Sequence, residues 1–310
     1  MLRFLALRGV AFVATMWGII TGTFFLFRLV PGNAAVFIVG SDVTPRAIAA
    51  LTKSLGLDKP LYVQYIDYLN NLGHGSFGQS VVFGSGLASA LFARYPVTVS
   101  LALGAIVIAI GIGVVFGVAS SLHPNSVFDR TLMGSLISLG GLPNFWFGVM
   151  LIAVFSSGLH LLPISGGSGL SSSILADVTL AAYPSAILAR LVRSSMLEVS
   201  TSGFIVACHA RGLSRIRVLV RHALRNAMLP ALTMTGLLLG YLLGGSIVVE
   251  DIFTKQGIGL LLLQSVNAHD YSMIEAITIV FSGSFLFLNL LADMGIWFLD
   301  PRTRTGAQSR

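Results

Sequence analysis

Six apolar runs, each about long enough to cross a bilayer, decide what this chain can fold into. They cover roughly 9–30, 97–120, 132–160, 177–197, 229–249 and 275–299 of 310 residues. A helical span needs about 20 apolar residues to cross about 30 Å of hydrocarbon. The third run is long enough to tilt or to include a short interfacial piece. The fourth is the least apolar, with Pro184 inside it and Arg190 and Arg193 closing it. Composition excludes the alternative of a soluble domain. Only 10% of residues are charged, against roughly 25% in soluble domains. The expected class is an all-α integral membrane protein with six transmembrane helices.

The N-terminus, MLRFLALRGVAFVATMWGII, imitates a signal peptide, but its apolar run continues through Thr23–Phe27 without a small-x-small cleavage site. It reads as an uncleaved first span. The net charge of +7 does not point to nucleic acid, because the basic residues are scattered over loops between spans. They follow a positive-inside bias instead. With the N-terminus inside, Arg3, Arg8, Arg130, the seven arginines from Arg190 to Arg225, and Arg302, Arg304 and Arg310 share one side. Arg46, Lys53, Lys59, Arg94 and Lys255 lie on the other. Thirteen against five predicts both termini in the cytoplasm. Arg28, near the outer end of the first span, is expected to snorkel to headgroups. The single cysteine, Cys208, excludes an intramolecular disulfide framework and suits a reducing compartment.

Residues 31–95 form the largest outer segment, polar and turn-rich, with PGN at 31–33 and a helical run from Pro60 to Leu72. A small cap of short helices is expected there. Two further outer loops are Pro163–Ser173, rich in Gly and Ser, and Glu250–Ile274. The expected division is 1–95 as first helix and cap, 96–302 as the transmembrane domain, and 303–310 as a tail.

The inner face carries one long basic break in the apolar pattern, EVSTSGFIVACHARGLSRIRVLVRHALRNAMLP at 198–230. Gly203–Arg211 and Ser214–Met228 both read as short helices. Gly212 between them can take positive φ, and Ser214 is an N-cap candidate. Arg217, Arg221 and Arg225 recur at i, i+4, i+8, with Ile216, Val220 and Leu224 on an adjacent face. Pro230 marks the entry to the fifth span. Such a stripe favours an acidic partner or anionic headgroups. On pattern alone, a partner-docking surface and a helix lying on lipid both remain open.

ARGLSRIRVLVRHALRNAMLPALT at 210–233 resembles the cytoplasmic loop of ATP-binding-cassette importer permeases. The nearest branch is the B-type permease subunit of dipeptide, oligopeptide and nickel systems. FRLVPGN at 27–33, LGLDKPLYVQY at 55–65, SFGQS at 76–80, FDR at 128–130, LPNFWFG at 142–148, VVEDIF at 248–253, GIG at 257–259 and FLDPR at 298–302 resemble that branch in the same order. The resemblance implies the type I permease fold and no catalysis by this chain. It further implies a second homologous permease, two ATPase subunits that hold ATP and Mg, and an extracytoplasmic binding protein. Its coupling loop would comprise Ala207, Cys208, Gly212, Leu213, Arg217, Arg221, Arg225 and Pro230. Gly203 stands where that loop usually has an acidic residue, and Val206 and His209 where the branch commonly has arginines. The implied solutes are peptides first, nickel or another small solute second.

Gly236, Gly240 and Gly244 in the fifth span repeat at i+4, as do Gly113 and Gly117, and Gly18 and Gly22. This spacing allows close helix approach in lipid, within the subunit or at a subunit interface. Asp293, within the sixth span, is costly in lipid. Asp129 and Arg130 are expected to pair locally. Enzymatic motifs are missing: no HExxH, CxxC or Walker A sequence occurs, and the glycine runs at 104–117 and 166–169 do not follow strands. The six histidines are dispersed, so no metal site is expected. A self-sufficient secondary transporter is the rival from another class. It would need ionisable groups near the midplane.

Overall fold

The computed structural model describes residues 2–29, 52–53, 56, 58–77, 80, 86–163 and 170–299. The PGN at 31–33, residues 300–302 of the FLDPR motif and the side chain of Asp293 lie outside the described residues. The described elements are helices: α1 (Leu2–Leu29), α2 (Leu61–Gly73), α3 (Leu87–Leu122), α4 (Val127–Gly140), α5 (Asn144–Leu151, running into a wide π turn at Ile152–Gly158), α6 (Ile174–Ser200), α7 (Gly203–Ala210), α8 (Arg215–Ile252), α9 (Ile258–Asn267) and α10 (Tyr271–Leu299). Five of them, α1, α3, α6, α8 and α10, are long and apolar enough to cross a membrane.

The chain forms two compact units. One contains 2–98 and 256–284. Its core joins Leu87 and Leu91 of α3, Ile258 and Leu261 of α9, and Met273, Ala276 and Ile277 of α10. The Asp270 carboxylate accepts from the Met273 N–H at 3.1 Å, capping α10. The expected cap helix is present as α2. Its Tyr65 hydroxyl meets Thr21 Oγ1 at 2.7 Å, and Tyr65 and Tyr68 pack on the buried Phe24 ring of α1. Arg28 is not free to snorkel. It donates to Gln64 Oε1 (3.2 Å) and the Phe24 carbonyl (3.1 Å) and lies 4.0 Å from the buried carboxylate of Glu275. Its two hydrogen bonds hold the guanidinium against α1 and α2, within this unit.

The second unit contains 99–255 and 285 onward. It is organised around α6, the least apolar span by sequence and the most enclosed in the structure. Small and polar residues of α6, Thr179, Ala181, Ser185, Ala186 and Ala189, are buried. They face protein rather than lipid, so they need not be strongly apolar. Gly113 and Gly117 of α3 press on Leu188, Ala189 and Val192 of α6, with no room for a Cβ. Gly18 and Gly22 have nothing within 4 Å among the described residues.

Three span boundaries differ from the sequence reading. α3 begins at Leu87 and continues through Pro96, because Leu87 and Leu91 in its first turns are part of the first unit's core. α8 runs unbroken from Arg215 through Pro230. Pro230 is therefore inside a helix and not at a turn. The third span is broken: α4 and the segment from Asn144 to Gly158 meet at 104°. Pro143 lacks an N–H and disfavours helix at Leu142, and Gly141 closes α4 with its N–H on the Ile137 carbonyl at 2.9 Å. The broken pair nonetheless advances along α6. Asp129 meets Arg193, Met133 and Leu136 pack with Ala189 and Ala186, Gly140 lies on Tyr183 and Ala186, and a Cβ at Gly148 would sit 3.3 Å from Thr179. Those partners descend α6 steadily from 193 to 179, so the pair advances along α6 as far as Gly148.

Candidate partner-docking loop and its buried clasp

α6 ends at Ser200, and α7 starts three residues later with Ser202 in extended conformation as its N-cap residue. At its other end, the Gly212 N–H bonds to the His209 carbonyl (2.9 Å) and the Leu213 N–H to the Cys208 carbonyl (3.3 Å). This pair of bonds is a Schellman cap, which needs a left-handed residue at the position Gly212 occupies with φ of 75°. Cys208, Gly212 and Leu213 are thus joined in one local device that stops α7 and turns the chain. Ser214 then stands in extended conformation and its carbonyl accepts from the Val218 N–H at 3.0 Å, opening α8.

The start of α8 holds a feature that the sequence reading missed. Residues Val218–Ala223 form a wide π turn. Val218 and Ala223, five apart, therefore share the buried face, and Ala227 and Ala231 continue it at the ordinary spacing of four. The expected apolar stripe of Ile216, Val220 and Leu224 is displaced: Ile216 is 76% and Val220 57% exposed. The extra residue in the turn rotates those positions away from the packed side. α7 packs on this wide turn, as does α6, with Ile205 the buried residue of α7.

The remaining surface of the loop is uncommitted to the chain. Arg217, Arg221 and Arg225 are all exposed, as are Ala207 and Gly212, while Cys208 and Leu213 are half-buried. Phe204 (42%) and Val206 (63%) are exposed on α7. Apolar side chains and arginines therefore flank Gly212 on both sides, the mixture found at the cores and rims of protein interfaces.

Behind the loop lies a buried clasp. Asp129, at the N-terminus of α4, does not pair with Arg130. Arg193 of α6 approaches it with both arms, Nε to Oδ1 at 2.8 Å and Nη2 to Oδ2 at 2.6 Å. The hydroxyl of Ser120, at the end of α3, also donates to Oδ1, and the Asn125 N–H donates to Oδ2 at 2.8 Å. The Asp129 N–H is itself capped by Ser126 Oγ at 3.1 Å. Arg130 points outward and is exposed. A bidentate guanidinium fits a buried carboxylate far better than a sequence neighbour whose side chain leaves on another face. The signal was present in the sequence: an aspartate in a tight loop and an arginine ending an apolar span both need a partner. Their separation of 64 residues hid the match.

At the opposite end of α6, Lys255 donates to Ser172 Oγ (3.0 Å) and Ser173 Oγ (3.3 Å). Burial lowers its ammonium below the ordinary range, against the attraction of Asp177. Gly236 and Gly240 of α8 are buried against Ala292 and Phe285 of α10, whereas Gly244 is exposed with nothing within 4 Å. No cluster of three or more His, Cys, Asp or Glu suited to a metal occurs among the described residues.

Residues 109–305 match the family described as the binding-protein-dependent transport system inner membrane component. The chain belongs to this family. Residues 1–102 match its N-terminal membrane component. The permease is 34% identical over 335 residues to the di/tripeptide transport system permease protein DppB of Pseudomonas aeruginosa, covering 98% of this chain and 99% of that one. It is 35% identical over 304 residues to the glutathione transport system permease protein GsiC of Escherichia coli K12, with the same coverage. Among solved structures, an inward-facing MetNI methionine ABC transporter chain superposes with a TM-score of 0.59 at 17% identity, covering 68% of this permease and 96% of that chain. An amino acid ABC transporter crystallised with histidines gives 0.53 at 15% identity. The permease therefore has the ABC importer permease fold, as expected, and is a multi-pass transport subunit rather than an enzyme.

Proposed function

We propose that this permease forms, with a second homologous permease subunit, the pathway of an ATP-driven importer of short peptides. Two ATPase subunits hold ATP and Mg, and an extracytoplasmic binding protein delivers the solute. The observation that carries the proposal is the Schellman-capped α7 with the exposed arginines of α8 beside it. This is a surface whose polar and apolar groups are left exposed among the described residues. Peptides are the proposed cargo because the relatives named for di/tripeptide and glutathione transport match along the whole chain.

The transmission follows from the supports. A push on α7 bears on the π turn of α8, on which α6 also packs. Arg193 then carries α6's motion to α4 and α3 through the Asp129 clasp. Packed elements with two discrete arrangements can pass such a displacement on, because interiors resist continuous deformation. The positive-inside count supports a cytoplasmic loop and cytoplasmic termini.

The test is affinity recovery of the tagged permease from detergent-solubilised membranes, beside a variant with Arg217, Arg221 and Arg225 changed to alanine. The unmutated chain should bring down an ATPase and a second permease, and the triple variant should lose most of the ATPase. Recovery of the permease alone in every mild detergent, with solute uptake that persists on a proton gradient after ATP depletion, would replace this reading with a secondary transporter.

A further inference from the structure

The break in the third span exposes irregular backbone at membrane depth. Gly141 and Pro143 are exposed and Asn144 is half-buried. Non-helical backbone at that depth persists only where it is enclosed by protein or lines a water-filled cavity. Two tyrosines stand beside this break. Gly140 lies against the Cα of Tyr183 on α6. Tyr183 pairs with Tyr241 on α8, ring centroids 5.0 Å apart. Gly245, one turn beyond Tyr241, lies about 4 Å from both the Tyr241 ring and the Asn144 carboxamide, as measured from where its Cβ would stand. Gly244 next to it opens onto free space.

Both tyrosines are exposed, Tyr183 by 38% and Tyr241 by 46%, and among the described residues neither hydroxyl is hydrogen-bonded within the chain. Neither lies at an interface belt, where tyrosines of membrane proteins usually sit. Tyr183 is about 14 Å along α6 from Ile174, and Tyr241 about 12 Å from Val249 at the end of its apolar run, at 1.5 Å per residue. A phenol hydroxyl left unpaired in hydrocarbon is costly, because nothing there replaces its hydrogen bonds to water. The exposed apolar side chains elsewhere in this unit, such as Val107 and Val115 of α3, carry no such burden.

We infer that Asn144, Tyr183, Tyr241 and the exposed 141–143 backbone form one wall of the solute pathway. The inference rests on the importer reading and adds to it the pathway surface and the chemistry it offers. Two phenols and a carboxamide give and take neutral hydrogen bonds. They suit the repeating amides of a short peptide without reading its side chains, and they hold it weakly enough to release it.

The experiment uses the complete transporter in inverted membrane vesicles. Tyr183→Cys and Tyr241→Cys are compared with Val107→Cys and Val115→Cys, and the unsubstituted chain, with Cys208, supplies the background. The probe is a charged, membrane-impermeant methanethiosulfonate. Only a thiolate reacts and only water supports it, so both tyrosine positions should react about tenfold faster than the two α3 positions. Rates equal to those of the α3 positions would overturn the pathway assignment. Should the cysteine variants fail to assemble, Tyr183→Phe and Tyr241→Phe keep the rings and lose the hydroxyls. Together they should raise the KM for trialanine uptake severalfold, and an unchanged KM would overturn the hydrogen-bonding role. If the unsubstituted transporter does not take up trialanine while the tyrosine positions still label fast, the peptide assignment fails and the wall stands.

Discussion

Asp129 receives two guanidinium N–H groups, a hydroxyl and a backbone N–H, and its side chain is only 3% exposed. Deleting one partner of such a pair strands the other charge, at a cost of about 3–5 kcal/mol. Asp129→Ala should therefore lower the melting temperature of the detergent-solubilised protein strongly. Asp129→Ala combined with Arg193→Met should recover part of the loss, because neither charge is then buried alone. A single variant as stable as the parent would mean that the clasp adds nothing. Gly212 makes a contrasting case. Its φ of 75° is left-handed and no atom lies within 4 Å of its missing Cβ, so the demand is conformational and not spatial. Gly212→Asn, which tolerates that region, should keep ATP-driven uptake. Gly212→Val, which carries about 1–2 kcal/mol of left-handed strain, should lose most of it. Equal uptake by both variants would exclude this cap as the transmission point.

Among the elements, α8 departs most from its sequence pattern. A period of 3.6 places Ile216, Val220 and Leu224 together, and one extra residue in the π turn brings Val218 and Ala223 to the packed side instead. A π turn leaves little trace in a hydrophobic pattern, since it shifts the register once and then resumes it. Five-residue spacing of Val218 and Ala223, followed by Ala227 and Ala231 at four, is the one legible hint. The glycine repeat in the same helix was legible as a packing motif, but its three members are not equivalent. A methyl group at Gly236 would strike Ala292 next to its backbone, and one at Gly240 would strike the Phe285 ring, which can swing aside. Gly236→Ala should destabilise by about 1–3 kcal/mol, as overpacking does, and Gly244→Ala should be neutral by the same thermal assay. A stable Gly236→Ala protein would show that α8 and α10 can part at no cost.

For the whole molecule, the number of crossings turns on the bent pair. Five long helices alone would put the termini on opposite faces, and the bent pair as a sixth crossing puts them together. Its partners descend α6 from Arg193 to Thr179, which argues for six. Reporters fused at the N-terminus, in the loop between α7 and α8, and after α10 should all report the cytoplasm. A reporter between the π turn at Ile152–Gly158 and α6 should report the other side. Opposite locations for the two ends would make the bent pair re-entrant and put seven arginines outside, against the positive-inside rule.

The sequence by itself determined the membrane class, the approximate spans, the cap helix and the turn at Gly212. Each of these rests on local quantities: apolar length, periodicity and one residue's freedom to take positive φ. Tertiary structure decided everything that depends on partners distant in sequence. It joined Asp129 to Arg193 and Arg28 to Glu275, because a charge leaving water takes the best-placed opposite charge, whatever its sequence distance. It allowed the least apolar span to lie innermost, because a helix surrounded by protein needs small and satisfied side chains rather than oily ones. It set Tyr183 beside Tyr241 at the break in the third span, on helices whose sequences give no sign of each other.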